Sequence, residues 1–104
     1  MGYAIQRFDN VLTWTQIALS TTSSQLQPAL PAYPTGEIMG VQLTNNDATA
    51  TIYLGYDSTV TATKFYKKLA PGEFLEELLG RGAVAKLWVI ASSGTPNLSV
   101  AVMG

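Results

Sequence analysis

The sequence predicts an all-β protein, a small antiparallel β-sandwich or jelly roll with an extended Pro-rich N-terminal arm. Three observations carry this. Apolar residues recur with a period of two in most segments, the spacing that puts alternate side chains on one face of a strand. Clusters of Gly, Pro, Asn, Asp and Ser punctuate those segments at intervals of about ten residues, as short-stranded sandwiches require. The chain has 104 residues, 47% of them hydrophobic, which fills one core and leaves little room for a second. A single domain over 1–104 follows, with a strand and arm in 1–35 and the sandwich core in 36–104.

The first strand is "VLTWTQIALS", rich in β-branched and aromatic residues. It places Leu12, Trp14 and Gln16 on one face and Val11, Thr13, Thr15 and Ile17 on the other. "STTSSQLQPALPAYPTG" then breaks regular structure, because Pro28, Pro31 and Pro34 cannot donate to a ladder. Leu26, Leu30 and Tyr33 are spaced along it as anchors of an ordered arm. "IMGVQLTN" alternates Met39, Val41 and Leu43 against polar neighbours, and "TATIYLG" answers with Ala50, Ile52 and Leu54. The two read as a hairpin around "TNNDAT", a turn of residues that tolerate left-handed backbone.

"YDSTVTATKFYKKL" reads as a loop and a short strand, with Phe65 and Leu69, or else Tyr66, pointing inward. "APGE" is a type II turn in which Pro71 pre-sets φ and Gly72 accepts a positive one. "GEFLEELLGRG" fits a short helix stopped at Gly80, or an irregular strand through Phe74; an isolated helix this short is marginal, which favours the strand. "AVAKLWVIAS" is apolar on both faces, with Ala85, Leu87 and Val89 on one and Val84, Trp88 and Ile90 on the other, and reads as a strand buried from both sides. After the "SGTPN" turn, "LSVAVM" closes the domain with Leu98, Val100 and Val102 on one face.

Composition excludes several functions. With a net charge of −1 there is no basic excess to displace counterions from nucleic acid or to hold an anionic membrane surface. There is no cysteine and no histidine, which removes disulfides, thiolate chemistry, the usual zinc ligands and the commonest general base. No apolar run has the length of a transmembrane helix. The opening "MGYAIQ" is not a secretion signal and, with Gln6, fails the myristoylation pattern, so a protein made and kept in a cytoplasm is expected. Charged residues are only 12% of the chain, about half the usual share. So thin a charge suits coverage by partner subunits, or a Ser- and Thr-rich monomer surface.

Candidate chemistry is sparse. Glu73, Glu76 and Glu77 are too close in sequence to face each other across a bond, since neighbours on a strand point to opposite faces. Ser58, Ser92 and Ser93 sit in turns, with only Lys64, Lys67, Lys68 and Lys86 as conceivable bases. Asn45, Asn46, Asp47 and Asp57 offer hard oxygens without a calcium-loop spacing. "GRG" and "SSGTPN" are turns rather than a phosphate cradle. Trp14, Tyr53, Tyr56, Tyr66 and Trp88 admit a sugar-stacking platform, Trp14 as the exposed ring and Trp88 as a core one. No catalytic residue, metal or cofactor is expected. Eight of the thirteen charged residues crowd into "KFYKKLAPGEFLEELLGRGAVAK", residues 64–86, as a mixed-charge seam around the Pro-Gly turn, where opposite charges can pair across a hairpin and between neighbouring subunits.

Over residues 38–103 the chain resembles small virion proteins of tailed bacteriophages. The likeness lies in a strand ending in "LTN", a partner ending in "YLG", a "VTAT" segment, the "LAPGE" turn, an "LWVIASSGT" hairpin and a final alternating strand. The resemblance implies a non-enzymatic decoration or cement protein on the capsid surface, made in the bacterial host cytoplasm, bound to the major capsid protein and assembled as a dimer or trimer. A carbohydrate- or receptor-binding module of a tail or fibre, and a tail or connector component, are the alternative readings. The interface residues expected are Arg7, Trp14, Tyr33, Lys67, Lys68, Glu76, Glu77 and Arg81.

Overall fold

The computed structural model describes residues 11–30, 40–77 and 81–104. Among these residues eight strands make two antiparallel four-stranded sheets. They are β1 (Val11–Ala18), β2 (Ser24–Gln25), β3 (Gly40–Asn45), β4 (Ile52–Gly55), β5 (Lys67–Leu69), β6 (Phe74–Glu77), β7 (Trp88–Ala91) and β8 (Asn97–Met103). One sheet has the order β1-β8-β3-β6, the other β2-β7-β4-β5. Among the described residues helix is confined to a 3-10 turn at Gln27–Ala29 and the single turn α1 (Arg81–Val84). The fold is nearly all-β and compatible with a β-sandwich.

The pairings have a simple rule. β1 runs beside β8, β2 beside β7, β3 beside β6 and β4 beside β5. The chain is thus doubled on itself about the β4–β5 connection, and β3–β8 and β4–β7 contacts close the two sheets. Only β4 and β5 are consecutive strands of the same sheet. Every other pair of successive described strands lies in different sheets.

This overturns the expected β3–β4 hairpin, since those strands lie in different sheets. The inward residues are those read from the sequence: Val41 and Leu43 on β3, with Ala50 beside β4 and Ile52 and Leu54 on it, are all buried. They belong to opposite walls of one core, which also takes Leu69, Val89, Leu98, Val100 and Val102. A period of two marks which side chains go in, and is the same whether the next strand lies beside or opposite. The β5–β6 and β7–β8 connections are likewise arches between sheets rather than hairpins.

The arch after β3 is built on Asn45, the buried polar side chain of the core region. Its Nδ2 donates to the Ala50 carbonyl at 2.8 Å and to the Leu69 carbonyl at 3.0 Å. Its Oδ1 accepts from the Asp47 amide at 3.0 Å. Its backbone N–H donates to the Glu73 carbonyl at 2.9 Å and its carbonyl accepts from Gly72 N–H at 3.0 Å. Asp47 continues the turn, its Oδ2 accepting from the amides of Thr49 (3.0 Å) and Ala50 (2.6 Å). No described residue other than glycine has positive φ, so side-chain hydrogen bonds make this turn, not the left-handed backbone expected from "TNNDAT".

The "APGE" turn matches its reading. Gly72 has φ of 80° and the Glu73 amide donates to the Ala70 carbonyl at 2.9 Å. "FLEE" is a strand, the favoured reading of the ambiguous segment. "AVAKLWVIAS" is corrected: only Trp88–Ala91 is strand, and α1 with the following turn occupies its start. Val84 and Leu87, assigned to opposite faces of a strand, are both buried. Their spacing of three suits the turn that the Leu87 amide closes on the Val84 carbonyl at 3.2 Å. Leu26 is in the core and Leu30 packs against it, so the segment before residue 31 is part of the domain's packing; Tyr33 and residues 31–35 of the expected arm lie outside the described residues.

Two substitutions probe these constraints. Asn45→Ala removes the side-chain donor to the buried Ala50 and Leu69 carbonyls and the acceptor of the Asp47 amide, and is expected to cost about 1–3 kcal/mol of unfolding free energy in urea melts. Asn46→Ala, at the exposed neighbour, should cost under about 1 kcal/mol. Gly55 lies beneath Val60, and a Cβ added there would sit 2.8 Å from the Val60 Cβ. That contact involves a branched carbon held close to the backbone, so Gly55→Ala is expected to cost about 1–3 kcal/mol in the same measurement.

Candidate functional site

Two surfaces stand out. The first is built by the β4–β5 connection, which folds back over the outer face of its own sheet. Asp57 shapes it: its Oδ1 accepts from the Thr59 amide at 2.8 Å and from the Thr59 hydroxyl. Val60 is thereby buried against Gly55. Thr61 and Lys64 then exchange backbone hydrogen bonds, at 2.8 and 3.2 Å, and the Tyr66 amide reaches the Leu54 carbonyl at the start of β5.

This path brings four rings together. Tyr53 and Phe65 have centroids 5.1 Å apart, and so do Tyr56 and Tyr66, both pairs tilted. Lys67 Nζ lies 5.6 Å from the Tyr66 centroid. Tyr56, Phe65 and Tyr66 remain 39–46% exposed, so neither Phe65 nor Tyr66 fills the inward position considered for it; Leu69 does. A pocket of about 250 Å³ opens between Tyr56, Val60, Lys64, Phe65 and Tyr66.

Charges complete the surface. Tyr66 donates its phenolic O–H to Glu77 Oε1 at 3.3 Å, and Lys67 Nζ is 3.9 Å from the same oxygen. This ion pair crosses between sheets, from β5 to β6, rather than across the hairpin the charge pattern suggested. Lys68 is exposed, paired in register with Tyr53. Burial raises the Tyr56 phenol above its usual range, with Tyr66 and then Glu77 adding to the effect.

The second surface is the outer face of the other sheet. Trp14, Ala101, Gln42 and Glu76 stand in one row across its four strands, and Gln16, Ser99, Thr44 and Phe74 in the next. Trp14 is 76% exposed and Phe74 70%. Gln42 donates its amide N–H to Glu76. The neighbouring glutamates therefore do separate work: Glu73 caps its own turn through the Ala70 amide (2.6 Å), Glu76 faces out, and Glu77 reaches the opposite sheet.

The sequence-predicted residues thus divide. Lys67, Lys68 and Glu77 gather beside the tyrosines, whereas Trp14 and Glu76 share the outer face of the other sheet. Arg7, Tyr33 and the Arg81 side chain lie outside the described residues. The cluster of Tyr56 and Phe65, and the exposure of Phe74, were missed as interface candidates; the β4–β5 arch that exposes them has no periodic signal. Trp88, expected in the core, is half-buried on the outer face of its sheet. The oxygens weighed for calcium are spent on their own turns, Asn45 and Asp47 after β3 and Asp57 with Thr59. Among the described residues no group of three or more Asp or Glu side chains is placed to hold a metal ion, and no helix is long and apolar enough to cross a membrane.

The Asp57 turn implies acid sensitivity. The Thr59 hydroxyl, then the Thr59 amide, hold the Asp57 carboxyl below its ordinary range, and Lys64 adds a smaller attraction. A depressed folded-state value contributes stability that is complete above the ordinary aspartate value of about 3.9 and is lost as pH falls through the lower one. The ring contacts of residues 53–66 are expected to loosen in that acid window, read as shifts of the Tyr56 and Tyr66 NMR signals. Asp57→Asn should remove this pH dependence. Comparisons with protein-family models, with curated proteins and with solved structures find no match to this chain.

Proposed function

We propose that the chain is a non-enzymatic structural protein of a tailed-bacteriophage virion, a decoration or cement protein that binds the assembled capsid. The observation that carries this reading is the ring cluster Tyr53, Tyr56, Phe65 and Tyr66, bordered by Lys64, Lys67 and Lys68. Tyrosine-rich, partly desolvated patches with a charged rim are the usual anatomy of a protein-docking surface. The fold supports it from another side. Pairing of β1 with β8, β2 with β7, β3 with β6 and β4 with β5, in the order seen, is how we read a jelly roll, an architecture frequent in capsid domains. A fold alone does not assign a function, so the patch carries the weight.

Mechanistically, the protein adds buried interface between neighbouring copies of the major capsid protein. Because it binds the assembled state and not free subunits, it stabilises the shell by mass action. A dimer or trimer of this chain would multiply such contacts over a symmetry axis.

Co-sedimentation with purified shells tests the contact. Combined Tyr56→Ala and Tyr66→Ala replacement is expected to weaken shell binding tenfold or more, about 1.4 kcal/mol or greater, as truncation of a hot spot does. Unchanged occupancy would move the contact elsewhere. Absence of stoichiometric density for the protein in cryo-EM of the virion would overturn the reading itself.

A further inference from the structure

From the outer face of the β1-β8-β3-β6 sheet we infer a binding site for a neutral oligosaccharide, stacked on Trp14. This inference is independent of capsid binding, which was assigned to the opposite sheet. A trough of about 240 Å³ runs over this face, lined by Trp14, Gln16, Gln42, Thr44, Ser99 and Ala101. Trp14 is on the edge strand β1 and Phe74 on the edge strand β6, so the two exposed rings bracket the sheet. Three inter-strand spacings separate those strands, about 14 Å, the scale of a short saccharide chain.

The floor has sugar-binding chemistry. Gln16 and Thr44 make no side-chain hydrogen bond among the described residues, leaving an amide and a hydroxyl to donate and accept. Ser99 Oγ accepts from Asn46 Nδ2 at 2.5 Å and keeps its own O–H to donate. The Gln42 amide holds Glu76 and retains its carbonyl oxygen as an acceptor. A pyranose offers an apolar ring face to an indole and hydroxyls that both donate and accept. The two rows carry one charged residue, Glu76, and no cation, which disfavours an anionic sugar.

The layout also argues against a protein occupant. Protein interfaces place apolar and aromatic residues at the centre and polar ones at the rim. This face reverses that order, with rings at its two edges and amides and hydroxyls between them. The small Ala101 beside Trp14 in the register leaves the flank of the indole clear for a ring lying flat on the sheet.

The test uses soluble neutral oligomers of glucose, galactose, mannose and N-acetylglucosamine, titrated against the full chain with tryptophan fluorescence and amide-shift mapping. Saturable binding to at least one series is expected, with shifts centred on residues 14–16, 42–44 and 99–101. Trp14→Ala should weaken that binding at least about tenfold, while Trp88→Phe leaves both the affinity and the fluorescence change. Gln16→Ala, an exposed substitution that spares the core, should weaken it severalfold. No saturable binding to any series overturns the proposal, and so do shifts confined to residues 53–69 or a Trp14-dependent self-association that no saccharide disturbs. Loss of shell binding in the tyrosine variants with saccharide binding intact separates this site from the capsid contact.

Discussion

A single buried amide holds the two sheets in their relative places. Asn45 ends β3 in one sheet, yet its side chain donates to Leu69 at the end of β5 in the other. Its backbone is bonded to the Gly72–Glu73 turn that leads into β6, and its Oδ1 and Nδ2 close the arch to β4. Four strands thus meet at one residue. An apolar side chain of similar size would fill the space but take the side-chain donor from the carbonyls of Ala50 and Leu69 and the acceptor from the Asp47 amide, and a buried polar group left without a partner costs about 1–3 kcal/mol. Among the described residues no buried side-chain nitrogen or oxygen lacks a partner, which is the condition under which a buried polar residue specifies structure rather than weakening it.

The far side of the same edge is managed by charge. Lys67 pairs in register with buried Leu54, and Glu77 with buried Val41, so both occupy inward positions at the ends of edge strands. An aliphatic pair there would extend the core to an open sheet edge and invite a foreign strand. A cation and a carboxylate facing each other leave the edge wet, which is one way natural sheets avoid edge-to-edge pairing. The ion pair is partly exposed, so its direct contribution is small. Its effect lies in what it prevents. It also brings Tyr66 against Glu77 and so orients one end of the ring cluster.

Much of the inside of the protein was legible. The alternation in "VQLTN", "TIYLG" and "LSVAVM" identifies Val41, Leu43, Ile52, Leu54, Leu98, Val100 and Val102 as core, and all are buried. The Pro-Gly turn was legible because its φ requirement is local. The start of "AVAKLWVIAS" was not, since Val84 and Leu87 suit either a strand with two apolar faces or a tight helical turn with one. Of the site residues, exposed Trp14 was readable from its polar neighbours. The aromatic cluster was not, because a non-repeating loop brings Tyr56 beside Tyr66 and its return has no counterpart in hydrophobic pattern.

The sequence by itself determined which side chains of the alternating strands are buried and where the Pro-Gly turn falls. Both depend on neighbours within a few residues: alternate Cβ atoms point to opposite sides of a strand, and glycine tolerates a positive φ wherever it sits. Only the tertiary structure decided which sheet each strand joins, that Lys67 meets Glu77 across sheets, and that Trp14, Gln42 and Phe74 share one face. Those relations follow from which strands lie side by side, and strand patterning has the same period for a neighbour beside as for a neighbour across the core. At the β3–β4 crossing that symmetry is broken by the hydrogen bonding of Asn45, which turns the chain out of one sheet and into the other.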